Sequence, residues 1–365
     1  MKSTEDKEGK IATAMESIHN NRNAIFDSTE PPAPVQLLRM LGGKWITAAI
    51  ASAAELAIAD LLATRDMSVK ELAAAASCHA PSLYRLLRAL ASVGLFAETE
   101  PGTFTLTPLA RCLQTDVPGS LRNLARLSFL PASWKGLGEL VHCVRTGETG
   151  LRKNFGLADP FEYFQSHPDQ AAIFNAAMSD ISRMSAPAVA QSYDFGTFSK
   201  LVDVGGGEGL MLATILQRYP NLVGVLFDLP IVVERARLFL ESSGVANRCQ
   251  IVPGDFFDGV PTRGDGFLVR HVVHDWEDER AITLLRNIRR AIHPSGRLLL
   301  VEGIVPPGNT PSAAKLLDLE MLTLTGGRER TETEYNSLLS AAGFELLSVH
   351  AAHGPDQIIE ATPVS

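Results

Sequence analysis

Leu201-Val202-Asp203-Val204-Gly205-Gly206-Gly207-Glu208-Gly209 is the stretch on which the fold turns. It reads as a short apolar strand, a run of glycines, and then a helix to Tyr219. Such a strand–glycine–helix turn is where a doubly wound sheet binds a nucleotide. A dinucleotide fingerprint, GxGxxG, needs its third glycine at position 210, which is Leu. The spacing is GxGxG instead, which allows close backbone approach without that dehydrogenase signature. Outward from the turn, strand-like runs recur at 223–227, 250–252, 267–269, 298–301 and 344–349, with helical patterns between most of them. Continuous apolar strands alternating with helices predict an α/β parallel sheet covered on both faces. The last run, 357–361, follows 344–349 with no helix between, so it should pair antiparallel.

Two acids extend the reading. Asp228 ends the second strand, where a carboxylate grips ribose hydroxyls. Asp255 ends the third, in Pro253-Gly254-Asp255-Phe256, and is placed to bond an adenine amino group beside a stacking Phe256. A glycine loop by itself is weak evidence. An acid at the tip of each of the next two strands strengthens it, against the plainer alternative of loop acids around a tight turn.

The N-terminal half is different. Residues 1–30 are polar, without hydrophobic period, and read as a flexible arm. From 34 to 63 apolar residues recur at helical spacing, giving helices that must be buried, often against a partner chain. Ser68 with Glu71 forms a capping-box pattern that opens a short helix to about 76, and a second helix spans 81–93. The runs 95–98 and 103–106 alternate across Pro101-Gly102 like a hairpin. Helix, helix and hairpin make a winged-helix pattern, read either as DNA-binding or as a dimerisation module. The second helix carries only Arg85 and Arg88, and the chain has 33 Lys+Arg against 41 Asp+Glu, a net charge of -8. Nucleic-acid affinity rests on a basic footprint, so no nucleic-acid partner is expected. Further helices are expected at 133–144 and 168–191. At 365 residues the chain exceeds one ordinary core. The division expected is an arm at 1–30, a helical winged-helix-like domain at 31–115, a helical linker and substrate-lining segment at 116–195, and the α/β domain at 196–365.

Four scattered cysteines without a CxxC pair argue against a disulfide framework or a cysteine zinc site. No apolar leader is visible, and the most apolar stretch, 46–63, is broken by Glu55 and Asp60. A soluble cytoplasmic protein with no membrane partner is therefore expected.

DVGGGEG (203–209), FDLP (227–230), GDFF (254–257), RHVVHDWEDE (270–279), VEGIVP (301–306) and GGRERTETEY (326–335) together resemble the class I S-adenosylmethionine-dependent O-methyltransferases. The caffeate and acetylserotonin branch, with its bacterial or fungal natural-product relatives, is the nearest likeness. The resemblance implies a Rossmann-like, doubly wound, seven-stranded sheet preceded by a mainly helical, winged-helix-like dimerisation domain, working as a homodimer. It implies S-adenosylmethionine as cofactor, with Asp203 and Leu229 among the residues that bind it and Gly205 and Gly207 at its methionine part. Asp228 would hold the ribose, and Asp255 and Phe256 the adenine. Arg270 stands where the family usually carries a Lys, and Trp276 covers part of the site. His274 falls on the family's general base, and Glu302 and Glu329 on the two acids that flank it. Substrate would lie against Trp134, Phe174, Met178, Met321 and Leu324. Ile181 and Leu324 replace polar residues of the lignin-type enzymes, pointing away from a catechol or caffeate and toward a more apolar polycyclic phenol. By the same resemblance the helix near 40–46 reaches across a dimer to close the partner's pocket.

The chemistry fits a histidine base only under a condition. A phenol has a pKa of about 10 and a histidine about 6.5, a gap of roughly 5 kcal/mol, so proton removal must be coupled to methyl transfer or the hydroxyl must be acidic. His271 precedes His274 by three residues; no third ligand at metal spacing is evident, so no metal is expected, and a continuing strand would point His271 into the packing. His293 and His353 read as solvated turn residues. Two other readings stay open: a family member running N- or C-methylation, hydroxylation, decarboxylation or pericyclic chemistry, and a winged-helix regulator that senses a small molecule.

Overall fold

The computed structural model describes residues 31–157, 160–352 and 356–364. The arm expected at 1–30 and His353 lie outside these residues. Up to Ala48, a body of its own, the described chain carries helix Ala33–Leu41 and the first residues of helix Gly43–Glu55. The helical run expected at 34–63 is interrupted at Gly42 and again at Ala57, whose φ of 52° breaks the i to i−4 ladder.

From Ala49 onward the expected capping box is formed: Glu71 N–H donates to Ser68 Oγ (3.3 Å) and Ser68 N–H donates to Glu71 Oε2 (2.8 Å). It starts helix Val69–Ala75, followed by helix Ala80–Ser92. Strands β1 (Met67–Ser68), β2 (Phe96–Glu100) and β3 (Thr103–Leu106) make a small antiparallel sheet in the order β1-β3-β2, completing the winged-helix pattern. Its core is Leu72, Leu83, Leu87, Leu90, Phe96 and Phe104. The single helix expected at 133–144 is instead two, Pro131–Gly138 and Leu140–Thr146, parted at Glu139. Gly136 and Gly138 weaken the helix here. Gly136 is also the point of closest approach between helices, because a Cβ on Gly150 would lie 2.4 Å from its carbonyl oxygen. Helix Pro168–Ser192 ends one residue beyond its expected limit.

The C-terminal sheet has seven strands: β4 (Lys200–Val204), β5 (Val223–Asp228), β6 (Cys249–Pro253), β7 (Gly264–Arg270), β8 (Ile292–Gly303), β9 (Phe344–Ala351) and β10 (Asp356–Pro363). Their order is β6-β5-β4-β7-β8-β10-β9. β10 alone runs against its neighbours, paired antiparallel to both β8 and β9, as the missing helix required. Alternation along each strand divides the core in two. Val202, Val204, Leu298 and Leu300 pack on one face with Phe267 and Leu284. Leu201, Leu299 and Val301 pack on the other with Leu212 and Ile215. Both faces are dry, which is why these strands read as unbroken apolar runs. The chain leaves β4 toward β5 on one side and returns as β7 on the other. The carboxyl ends of β4 and β7 therefore flank the crevice in which an open α/β sheet binds its ligand. Among the described residues no helix is long and apolar enough to cross a membrane.

Candidate active site

The crevice starts at the glycines after β4. Gly205 and Gly207 take φ of 71° and 61°, values that L side chains rarely adopt. A Cβ on Gly205 would strike Val272 at 2.7 Å, whereas one on Gly207 would meet nothing within 4 Å. The loop is thus closed toward the protein at one glycine and open at the other. Asp228 holds this shape from the end of β5: Oδ2 accepts the Gly207 N–H at 2.8 Å, and Oδ1 accepts the Leu229 N–H at 2.7 Å. Asp203 is 1% exposed, and its Oδ2 has no hydrogen-bond partner among the described residues. Burial, reinforced by Asp228 and opposed by Arg270, pushes its pKa up to about 7. An orphaned carboxylate oxygen, an open glycine and a fixed acid at the next strand tip suit a small ligand carrying positive charge and a ribose. After β6, Asp255 Oδ1 accepts the Phe257 N–H (2.8 Å), turning Phe256 and Phe257 edge-on to one another. S-adenosylmethionine fits these donors and acceptors, and Phe256 forms an aromatic wall beside Asp255.

The second half of the crevice follows β7. His274 sits in the 3-10 turn Val273–Asp275, 7% exposed. Its Nδ1 is 2.8 Å from Glu329 Oε1 and 3.5 Å from Glu302 Oε2. Glu302, fully buried near the end of β8, also accepts the N–H groups of Val272 and Val273 on Oε1, so it pins the turn as well as facing the ring. A carboxylate can only accept here, so in the neutral ring Nδ1 carries the proton and Nε2 the lone pair. Burial pulls the His274 pKa down. The charge of Glu302, the Glu329 hydrogen bond and the charges of Asp275 and Glu329 outweigh it and hold the imidazole well above its usual value, at about 10. The same crowding of carboxylates, led by burial, lifts Glu302 and takes Asp275 to about 6. Among the described residues no group of three His, Cys, Asp or Glu side chains is set to hold a metal ion.

The remaining residues singled out in the sequence fall into three groups. Phe174 and Trp276 join one aromatic chain: Phe174 meets Phe161 edge-on, Phe161 stacks on Trp276 (5.9 Å, 22°), and Trp276 meets Phe257 and Phe256. Trp276 Nε1 is buried without a hydrogen-bond partner among the described residues. Met178 lies half-buried on the same helix as Phe174. Trp134 packs on Phe129 (4.8 Å). Met321 is buried, and Leu324 packs into the small cluster of Ala132, Leu151 and Tyr163. Arg270 points at helix Pro168–Ser192, donating to Ser182 Oγ (2.8 Å) and Ser185 Oγ (2.7 Å).

Several residues of the site carried no legible signal in the sequence. Arg330, 1% exposed, spans the turn that carries His274: Nη1 donates to the Val273 carbonyl (3.1 Å), Nη2 to the Trp276 carbonyl (2.8 Å) and to Asp278 (2.8 Å). Arg328 N–H donates to the His274 carbonyl at 2.9 Å. Gly327 permits that approach, since a Cβ there would lie 2.0 Å from the same oxygen. Asn287 Nδ2 donates to the carbonyls of Phe256 and Phe257 (2.8 and 2.9 Å), fixing the aromatic wall. His271 departs from its expected place. β7 stops at Arg270, and His271 turns out of the strand at φ 50° to meet Asp356.

Fold and crevice together define a nucleoside-cofactor transferase. The chain matches the family models of the O-methyltransferase domain over residues 134–345 and of the O-methyltransferase dimerisation domain over residues 38–116. It is 42% identical to the phenazine O-methyltransferase PhzM of Lysobacter antibioticus, covering 90% of this chain and 96% of that protein. It is 37% identical to the mitomycin biosynthesis 6-O-methyltransferase of Streptomyces lavendulae, over 88% and 92%. The crystal structure of human N-acetylserotonin methyltransferase in complex with S-adenosylmethionine superimposes with a TM-score of 0.85 at 27% identity, covering 93% and 99%. Aclacinomycin 10-hydroxylase RdmB of Streptomyces purpurascens is also similar, 35% identical over 88% and 90%. The chain belongs to the O-methyltransferase family. It is an S-adenosylmethionine-dependent O-methyltransferase of the secondary-metabolite type.

Proposed function

We propose that the enzyme methylates a hydroxyl on a small aromatic or polycyclic secondary metabolite, with His274 as general base and Glu302 and Glu329 as its orienting acids. The observation that carries this reading is the 2.8 Å contact of His274 Nδ1 with a buried Glu329, which leaves Nε2 as the acceptor. When bound, S-adenosylmethionine supplies a methyl group on a sulfonium, an electrophile already joined to its leaving group. Asp203, Gly205, Gly207, Asp228 and Leu229 would hold its methionine and ribose parts, with Asp255, Phe256 and Trp276 around the adenine and Arg270 nearby. His274 takes the hydroxyl proton at Nε2 as the oxygen commits its electron pair to the methyl carbon. With the imidazole held at about 10, its proton affinity matches a phenol, so the gap of roughly 5 kcal/mol expected for an ordinary histidine closes. The remaining task is to bring the oxygen to about 3–3.5 Å from the methyl carbon. Phe174, Met178, Trp134, Met321 and Leu324 are the residues we assign to holding an apolar ring, because aromatic and thioether surfaces pack against flat rings.

Residues 196–365 form the catalytic domain in this reading. The dimerisation-domain match supports a homodimer, four free cysteines suit a reducing cytoplasm, and the acidic chain argues against a nucleic-acid partner. The test is methyl gain by mass spectrometry on a panel of phenols, flavonoids and hydroxylated polycyclic quinones, with His274→Ala alongside. Product that falls by about 100-fold or more in the variant is expected of a lost general base. Equal product from both proteins would remove His274 from the mechanism.

A further inference from the structure

A second histidine–carboxylate pair lies against the first. His271 occupies the left-handed region at φ 50°, a strained conformation for a residue with a side chain that persists where the surroundings over-determine it. Three contacts hold it. Its N–H donates to the Val301 carbonyl (3.1 Å), its Nε2 meets Asp356 Oδ1 (2.9 Å), and its ring lies over that of His274 with centroids 5.4 Å apart and planes 25° from parallel. Asp356 is itself buried and also touches Arg270 at 3.5 Å, whose guanidinium is anchored to Ser182 and Ser185.

The protonation pattern follows from the partner. Asp356 can only accept, so Nε2 carries the proton and Nδ1 is a lone pair. Burial first, then the charges of Arg270 and His274, hold the His271 pKa low against the pull of Asp356, which keeps the ring neutral. Nδ1 makes no hydrogen bond among the described residues, and the side chain keeps 22% of its surface exposed. His274 has the complementary pattern, with Nδ1 tied to Glu329 and Nε2 open. Once His274 is neutral, two acceptors stand on neighbouring, nearly parallel rings. Packing alone would be met by an apolar ring at 271, with no buried carboxylate required behind it.

We propose that His271 is a substrate-binding residue whose Nδ1 accepts a hydrogen bond from a hydroxyl or amino group adjacent to the hydroxyl at His274. The preferred substrate is then an arene bearing two neighbouring hydrogen-bond donors, one methylated and one held. The acceptor character of Nδ1 selects a donor over a methoxy or carbonyl group at that position. This assignment rests on the reading of His274 as the base, and the two are separable because binding preference reports on His271 and methyl transfer on His274.

The experiment uses the full-length protein loaded with S-adenosylhomocysteine. Tryptophan quenching measures binding of 2,3-dihydroxynaphthalene and of 2-naphthol to the parent, to His271→Phe and to His274→Ala. The parent should favour the diol by about 10-fold, the scale of one net hydrogen bond. His271→Phe retains a stacking ring without the acceptor, and the preference should fall to within about 2-fold. His271→Gly, which tolerates positive φ and has no side-chain acceptor, makes the same comparison if the Phe variant does not fold. A parent without preference, or a variant that keeps it or weakens both ligands equally, would overturn the proposal. A preference lost at His271→Phe, together with full methyl transfer by His274→Ala, would leave His271 assigned and refute the base.

Discussion

Glutamine at position 329 keeps an oxygen for His274 Nδ1–H and removes only the charge. The carboxylate cluster lifts the imidazole from 6.5 to about 10, a bias toward imidazolium of about 5 kcal/mol. That bias is shared by Glu329 at 2.8 Å, Glu302 at 3.5 Å and Asp275 at 3.9 Å. A charge-assisted hydrogen bond exceeds a neutral one by about 1–2 kcal/mol, so Glu329→Gln should lower the imidazole pKa by roughly one unit. The base works only when neutral, so kcat in the parent rises with pH toward a plateau near 10. In the variant this limb moves down by about one unit, and the plateau falls by about 10-fold because the imidazolium formed in the transition state is less stabilised. At pH 7 the two effects oppose one another, since more of the variant base is neutral, and the loss there is smaller than on the plateau. The assay is kcat from S-adenosylhomocysteine release between pH 6 and 10, with two phenols of different acidity to separate the substrate's limb from the enzyme's. A uniform loss at every pH, with the limb unmoved, would refute the reasoning.

Two further outcomes follow from the same geometry. Arg330→Lys replaces a five-donor fork by a single ammonium and leaves the carbonyls of Val273 and Trp276 under-bonded; kcat should fall while cofactor KM holds, and the melting midpoint should drop by on the order of 5–10 °C. An unchanged kcat in a folded Arg330→Lys protein would show that the turn needs no such clamp. Asp203, raised from 3.8 to about 7 by burial, contributes stability that is full below about pH 4 and lost as pH rises through 7. Calorimetry without cofactor should therefore find the parent's midpoint falling from about pH 4 to pH 7 and levelling above it, with Asp203→Asn flatter throughout, the full difference between about pH 3 and pH 8 amounting to about 4 kcal/mol. Parallel slopes would place the titration elsewhere.

What the sequence by itself determined is what depends on near neighbours along the chain. Unbroken apolar runs such as 298–301 announced buried strands, because a strand covered on both faces has no polar alternation. The glycines at 205 and 207 and the acids at 228 and 255 marked the crevice, because each sits at a strand end or within three residues past it. The absence of a helix after 344–349 settled the antiparallel last strand. Ser68 and Glu71 announced their own cap. His274, Glu302 and Glu329 were reached only through resemblance, because nothing local couples residues 55 positions apart, as His274 and Glu329 are. The tertiary structure decided the rest for that same reason. Asp356 meets His271 from 85 residues away, and Ser182 meets Arg270 from 88. The turn of His271 out of β7 and the need for glycine at 327 both answer to a backbone or side chain brought in from elsewhere. The pKa of His274 belongs to this class too. An isolated imidazole has one proton affinity, and it is the enclosure of that ring with three carboxylates in a dry crevice that gives it another.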